Sequence, residues 1–409
     1  MVRRSVLTMF AVMAIVLGCI VASTPAGAVV DTAVVVPSPN AGTTEDTPVS
    51  VSCVSVSECV AVGTTYTGTA YVTLVMAWDG TEWSIMSSPN AGTINDVLIS
   101  VSCVSVSECV AVGYTYTGSA YVTLVEVWDG TMWSIVSSPN AGTSDDELRS
   151  VSCVSVSDCV AVGYTYTGSA IETLVMAWDG IEWSIVSSPN AGTFDNQLDS
   201  VSCVTAADCV AVGRAYTGSA HVTLVEVWDG TVWLIVSSPN AGTSRDVLLS
   251  VSCVSVSDCV AVGYTGDNSA TETLAMVLEG TAWSVLPSPN VGTSDDELFS
   301  VSCVNATECV AVGTTNTGSV YAALVMAWDG TVWSIVSSPN AGTTEDGLES
   351  VSCVSSSECV AVGSTNTGSQ QKTLVVSLTG PVPPPTTTTT ETPSTTSVSP
   401  DPVAPAFTG

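Results

Sequence analysis

Fourteen of the 15 cysteines form seven pairs six residues apart: Cys53/Cys59, Cys103/Cys109, Cys153/Cys159, Cys203/Cys209, Cys253/Cys259, Cys303/Cys309 and Cys353/Cys359. Thiols in pairs can hold a metal or oxidise to a disulfide. Structural zinc takes four ligands, and the chain has one histidine, His221, so each pair falls short of a metal site. One disulfide per pair is expected, bracketing a short turn and contributing about 2 kcal/mol in the chain-entropy picture. Such a chain belongs in an oxidising compartment.

The 11 tryptophans offer flat faces on which sugar rings could stack. However, Trp78 and Trp83 flank a four-residue turn, a spacing that suits a cross-strand aromatic pair. Where the first of the two is lost within a repeat, Leu278 stands in its place, and leucine packs but does not stack. A packing role is therefore expected. His221 occupies a position that reads Tyr71, Tyr121, Ile171, Thr271, Tyr321 and Gln371 elsewhere, which suits an exposed loop or strand start. Catalysis needs a nucleophile, an acid or base, and a group that orients them. Carboxylates are plentiful and a glycosidase needs two, but no pair departs from the repeat background. No catalytic centre and no cofactor are expected; a lectin or glycoside hydrolase is the alternative.

Asp and Glu number 38 against 6 Lys and Arg, a formal net charge of −32, which excludes nucleic acid and anionic lipid as partners. Arg3 and Arg4, the apolar run Val6–Val21 and Ala26-Gly27-Ala28 read as a signal peptide over 1–28. Arg3-Arg4 also suits a twin-arginine signal, and Val16-Leu17-Gly18-Cys19 resembles a lipoprotein box. Residues 381–409 form a Pro/Thr-rich tail that cannot bury a core and reads as a spacer. No segment of the mature chain is expected to cross a membrane. A secreted or cell-surface monomer follows.

What positions these residues is a repeat. The phrase Ser-Val-Ser-Cys-Val begins at Ser50, Ser100, Ser150, Ser200, Ser250, Ser300 and Ser350 without slippage. Each unit divides into four β-like runs, in the first Ser50–Val54, Cys59–Tyr66, Tyr71–Trp78 and Trp83–Ser88. Four short antiparallel strands at a fifty-residue period make one blade, which predicts an all-β, seven-bladed β-propeller over 29–380. The last unit lacks its fourth strand, and Thr32–Asn40 aligns with Glu82–Asn90, so residues 31–37 are predicted to close the ring. In that shared blade both tryptophan positions are lost together, as Leu378 and Ala33.

The S-V-S-C-x5-C-x-A-V-G and W-D-G-T-x-W-S units resemble those of secreted bacterial repeat proteins, and their period resembles that of kelch-type seven-bladed propellers. The kelch glycine doublet is absent, with one glycine at Gly63 and its equivalents. Trp78-Asp79 is similar to the dipeptide of WD repeats without their Gly-His partner. The resemblance implies the fold and no particular activity.

Comparison between repeats separates scaffold from site. The segment Thr43–Val49 and its equivalents varies, and is predicted to be a crossover loop beside the central opening. Within it Asp46, Asp96, Asp146, Asp246, Asp296 and Asp346 recur, with Asn196 in the remaining unit, either as an acidic binding mouth or as Asx-turns. Three residues on, the sequence reads Val49, Ile99, Arg149, Asp199, Leu249, Phe299 and Glu349. Such diversity suits recognition of something asymmetric: a protein or a cell-envelope polymer. Clustered carboxylates also suit Ca²⁺, although no calcium-loop motif is present.

Overall fold

The computed structural model describes residues 30–380, apart from 43, 93, 143, 268, 293 and 343. The expected signal peptide and the Pro/Thr tail lie outside the described residues. Those described form 28 strands and no helix, and none of them belongs to a helix long and apolar enough to cross a membrane.

Blade 1 shows the unit: an inner strand Asp46–Ser55, then Glu58–Tyr66, Tyr71–Trp78 and an outer strand Trp83–Met86. Consecutive strands pair antiparallel, with Cys53 opposite Cys59 and Trp78 opposite Trp83. The Asp79-Gly80 turn is held by the Asp79 carboxylate, which accepts from Thr81 N–H, Thr81 Oγ1 and Glu82 N–H at 2.6–2.9 Å. These bonds lower the Asp79 carboxyl to about 2.

All seven cysteine pairs are disulfides: Cys53–Cys59, Cys103–Cys109, Cys153–Cys159, Cys203–Cys209, Cys253–Cys259, Cys303–Cys309 and Cys353–Cys359. Each joins directly opposed residues with Cα atoms 4.0 Å apart. Each bridge brackets its turn as expected, and its second sulfur also lies in a core. Cys59, Cys109, Cys159, Cys209, Cys259, Cys309 and Cys359 are 1–3% exposed and belong to the apolar cores between blades. Their partners on the inner strand are partly buried against the same cores. The pleat explains this, because the second strand sends Cys59, Ala61 and their equivalents to one buried face. These cysteines therefore serve the scaffold. Intact mass with alkylation should find no free thiol in the native protein and fourteen after reduction. Several free thiols before reduction would contradict the assignment.

The core lies between blades. Val62 and Val75 of blade 1 pack on Leu98, Ala111, Leu124 and Trp133 of blade 2. The same arrangement recurs around the ring and ends with Val362 and Val375 of blade 7 on Ala61, Leu74 and Met76 of blade 1. Polar bonds follow the same circle. Ser50 Oγ accepts from Val101 N–H of the next blade at 3.1 Å and Ser52 Oγ from Cys103 N–H at 3.1 Å. The circle closes where Ser350 and Ser352 accept from Val51 and Cys53 N–H at 3.1 and 3.0 Å. This is why both serines recur in every unit: each satisfies an inner-strand N–H of its neighbour that would otherwise be buried without a partner.

Blade 7 takes its outer strand from the other end of the chain. Thr32–Val36 pairs antiparallel with Gln371–Thr379, with Ala33 opposite Leu378. The two losses of tryptophan are thus one event, since the residues face each other. Asn40 Oδ1 accepts from Thr373 N–H at 3.0 Å, as Asn90 Oδ1 does from Thr73 N–H within blade 1 at 3.0 Å. The tryptophans pack as expected, with ring centroids 5.6–5.9 Å apart in the five blades that keep both.

The strand boundaries differ from those predicted at both ends of the unit. The outer strand stops at Met86. The inner strand starts at Asp46, so most of the expected crossover loop is β-structure. The ladder steps by one residue between positions 48 and 50 of every unit, leaving position 49 as a bulge. Alternation that slips at a bulge does not read as a strand. Gly63 follows from the same device. A Cβ there would lie 2.0 Å from the Thr47 carbonyl oxygen, and the six equivalent glycines meet the same clash at 1.9–2.0 Å.

Candidate functional site

A β-bulge re-aims the residue it carries, and here it turns seven unlike side chains into the central channel. Val49, Ile99, Arg149, Asp199, Leu249, Phe299 and Glu349 line one cavity of about 420 Å³ with the serines that follow them. The sequence brought these positions forward for their diversity, and the structure brings them together.

The recurring aspartates have a different place. Asp46, Asp96, Asp146, Asp246, Asp296 and Asp346 are at most 2% exposed, as is Asn196. Asp46 Oδ1 accepts from Gly42 N–H at 2.7 Å, and Asp96, Asp146, Asp246, Asp296 and Asp346 accept from the equivalent glycines at 2.7–3.1 Å. Asn196 Oδ1 does the same at 2.6 Å. The side chain ties the incoming loop to the start of the inner strand, which a neutral amide accomplishes as well as a carboxylate. Of the two readings the sequence left open, the geometry is that of the turn, with these carboxylates drawn inward; Asp346 also borders a cavity.

The charge at the mouth comes from other positions and is unevenly shared. Arg149, Arg214 and Arg245, three of the four Lys and Arg residues beyond Arg4, converge on blades 3, 4 and 5. Asp199 sits between two of them, 3.9 Å from Arg149 Nε and 3.5 Å from Arg214 Nη1, and accepts from Gln197 Nε2 at 2.5 Å. Burial raises its carboxyl, and Arg214 and Arg149 oppose that shift. Arg245 lies over the Tyr264 ring, 4.9 Å from its centroid, and donates to Tyr264 Oη at 2.9 Å. His221 starts a strand of blade 4, as expected, but is half-buried against Tyr216 at 5.0 Å. Burial, and then the charges of Arg214 and Arg245, hold its pKa below the usual value.

Across the opening, between blades 6 and 7, the charge is reversed. Glu297, Glu345 and Glu349 line a side cavity of about 350 Å³ with Phe299 and Tyr321. Burial and Glu297 hold the Glu349 carboxyl up at about 7, while burial raises Glu297 against a bond from Thr271 Oγ1 at 3.2 Å. No three His, Cys, Asp or Glu among the described residues are placed to hold a metal ion.

Positions 45 and 47 of the unit, which supply Arg245 and Glu297, fall in the variable segment placed beside the opening but were not singled out as site residues, and position 64, which supplies Arg214, was missed in the sequence. The signal was there for position 64: it reads Thr, Tyr, Tyr, Arg, Tyr, Thr, Ser immediately after an invariant Ala-Val-Gly. A strand interior that varies beside a constant stretch marks a surface facing something other than the scaffold.

No family model matches the sequence, and no curated protein matches it. Solved structures share the architecture. The structure titled YCF48 bound to D1 peptide aligns with a TM-score of 0.51 at 12% identity, over 85% of this chain and 96% of that one. A protein of unknown function from Dyadobacter fermentans aligns with a TM-score of 0.51 at 10% identity, over 85% and 98%. The GH74 xyloglucanase of Xanthomonas campestris aligns with a TM-score of 0.51 at 12% identity, over 81% of this chain and 54% of that one. The fold is a β-propeller. At such identities the likeness extends to the fold and no further, so function has to be argued from the mouth of the propeller itself.

Proposed function

We propose that this propeller is a non-enzymatic binding module, exported to an oxidising compartment, that engages a protein partner through the mouth of its channel. One observation carries the reading: seven copies of one bulge, on blades otherwise nearly identical, present seven different side chains to one cavity. A small symmetric ligand would favour a repeated residue there. An extended, asymmetric surface favours divergence, and the arginine sector opposite the glutamate sector adds direction to it. The seven disulfides support the compartment. The solved relative bound to a peptide is consistent with a protein partner.

The test is a pull-down from the native cell envelope with wild type and with a variant carrying Arg149→Ala, Phe299→Ala and Glu349→Ala. Wild type should recover a partner that the variant loses at least tenfold. Equal recovery by both proteins places the site elsewhere. A panel of chromogenic glycosides, run alongside, should show no turnover; turnover abolished by a single Glu297→Gln or Glu349→Gln change would make the protein a hydrolase.

A further inference from the structure

Around the channel Arg149 is paired with Glu147 and Asp199, and Asp199 with Arg214 as well, leaving Glu349 as the one charged bulge residue without a counter-ion. No hydrogen bond or ion pair within the described residues engages it. Its carboxylate is surrounded by protein yet keeps contact with open space, because Glu349 lines both the channel and the side cavity between blades 6 and 7. Phe299 belongs to both spaces as well, and Tyr321, 39% exposed, forms another wall of the side cavity.

One small residue lines the cavity in front of the Glu349 carboxylate. Position 47 of the unit reads Thr47, Val97, Glu147, Gln197, Val247, Glu297 and then Gly347. Gly347 does not have a positive φ, so nothing in its backbone requires glycine. A Cβ there would meet Thr314 Cγ2 at 3.0 Å and approach Glu349 Oε1 at 3.9 Å. A larger side chain at this position would grow into the space in front of the carboxylate.

We propose that the cavity between blades 6 and 7 is a pocket for an organic cation, a guanidinium or ammonium group carried on a side chain of the protein partner, held by Glu349 and Glu297 against Phe299 and Tyr321. This deepens the binding function proposed above and rests on it. Two carboxylates supply charge-assisted acceptors, and aromatic faces attract a cation whose body is apolar. A bare metal ion would want a closed shell of oxygens instead, and no such set is present among the described residues.

Proton linkage gives a second readout. The groups facing Glu349 are Glu297 on the neighbouring inner strand, Glu345 and Asp346 on its own strand, and Arg149 and Asp199 across the channel. With its carboxyl near 7, Glu349 is mostly neutral at pH 6 and mostly ionised at pH 8. A cation that requires the ionised form binds about tenfold more weakly at the lower pH.

The test uses the full exported chain and labelled Gly/Ser heptapeptides with arginine, lysine or the uncharged isostere citrulline at the centre. Binding is read by fluorescence polarisation at about 0.15 M salt, where distant charge is screened beyond roughly 8 Å. The arginine or lysine peptide should bind at least tenfold more tightly than citrulline, and more tightly at pH 8 than at pH 6. Glu349→Gln and Gly347→Val, each checked for an unchanged thermal midpoint, should abolish that preference. Glu172→Gln, on the exposed rim of another blade, should keep it. Equal binding of charged and citrulline peptides, or a preference surviving both cavity variants, overturns the pocket. Displacement of the peptide by stoichiometric CaCl₂ overturns it in favour of a metal. Free argininamide binding as tightly as the peptide upholds the pocket but overturns the link to a protein side chain. If the envelope partner is recovered equally by the mouth variant while the arginine preference stands, the proposed function fails and the pocket does not.

Discussion

Deleting residues 31–37 should destabilise the whole ring rather than fray one end. These residues contain the strand Thr32–Val36, which pairs along Val375–Thr379. Ala33 packs against the core shared by blades 6 and 7, and Val36 against the core shared by blades 7 and 1. Without them, buried Val376 and Leu378 lose the strand that covers them. Several backbone bonds at about 1 kcal/mol each, together with the apolar contacts, put the loss at roughly 5 kcal/mol or more. At about 2–4 °C per kcal/mol for a chain of this order, the midpoint falls by roughly 10 °C or more. The bared edge is also a template for pairing with a second chain, so concentration-dependent association should accompany the loss. Calorimetry of the deletion protein decides the matter; an unchanged midpoint would mean that the ring is not latched by its N-terminal strand.

Replacing Glu126 and Glu226 with methionine should stabilise the protein at neutral pH and flatten its dependence on pH. Both glutamates are 0% exposed, at the position filled by Met76, Met176, Met276 and Met326 in four other blades. Neither oxygen of Glu126 has a partner at full hydrogen-bond geometry, with the Ser88 hydroxyl alone lowering its carboxyl against burial; Glu226 accepts from Ser188 Oγ at 3.1 Å and leaves its other oxygen unpaired. Burial pushes both carboxyls up to about 8. The sign follows from the proton count. Between the unfolded value of about 4.5 and the folded value of about 8, the native state holds protons that the unfolded chain has released. Stability is therefore greatest below about pH 4.5 as far as these groups are concerned, and falls as pH rises through that window. At pH 7 the effect is on the order of 3 kcal/mol for each group. Methionine fits without new strain, since Met276 already sits there beside a valine, Val277, as each glutamate does. Denaturant melts from pH 5 to pH 8 should show wild-type stability declining steeply and the double variant declining less, since Glu349 still titrates there, and standing higher at pH 8. A wild-type curve already flat across that range would refute the reading.

The cysteine pairs, the tryptophan pair and the Asp-Gly turn were legible in the sequence because each is a contact within one hairpin, where spacing alone decides which residues meet. Closure was legible for a related reason. An exact repeat makes a missing strand visible, and the paired change to Leu378 and Ala33 marks two residues that face each other. The diversity at position 49 pointed to the mouth because a scaffold position would have stayed constant, as Ser50 does. Other features depended on how one blade meets the next, between residues about fifty positions apart, and composition carries no trace of that. The pairing of Cys109 with Cys103 could be read from spacing, but its burial against the neighbouring blade could not. Asp46 read equally as a mouth residue or a turn residue until the strand was seen to begin there and draw its carboxylate inward onto Gly42. Glu126 and Glu226 carry no signal in the sequence, and only the third strand's place between blades shows that they are buried. The gathering of the arginines opposite Glu297 and Glu349 arises from positions 45, 47, 49 and 64 of different repeats. Pleat and bulge turn those positions to one face of the ring, and a bulge is set by the register of the ladder, which only the assembled sheet defines.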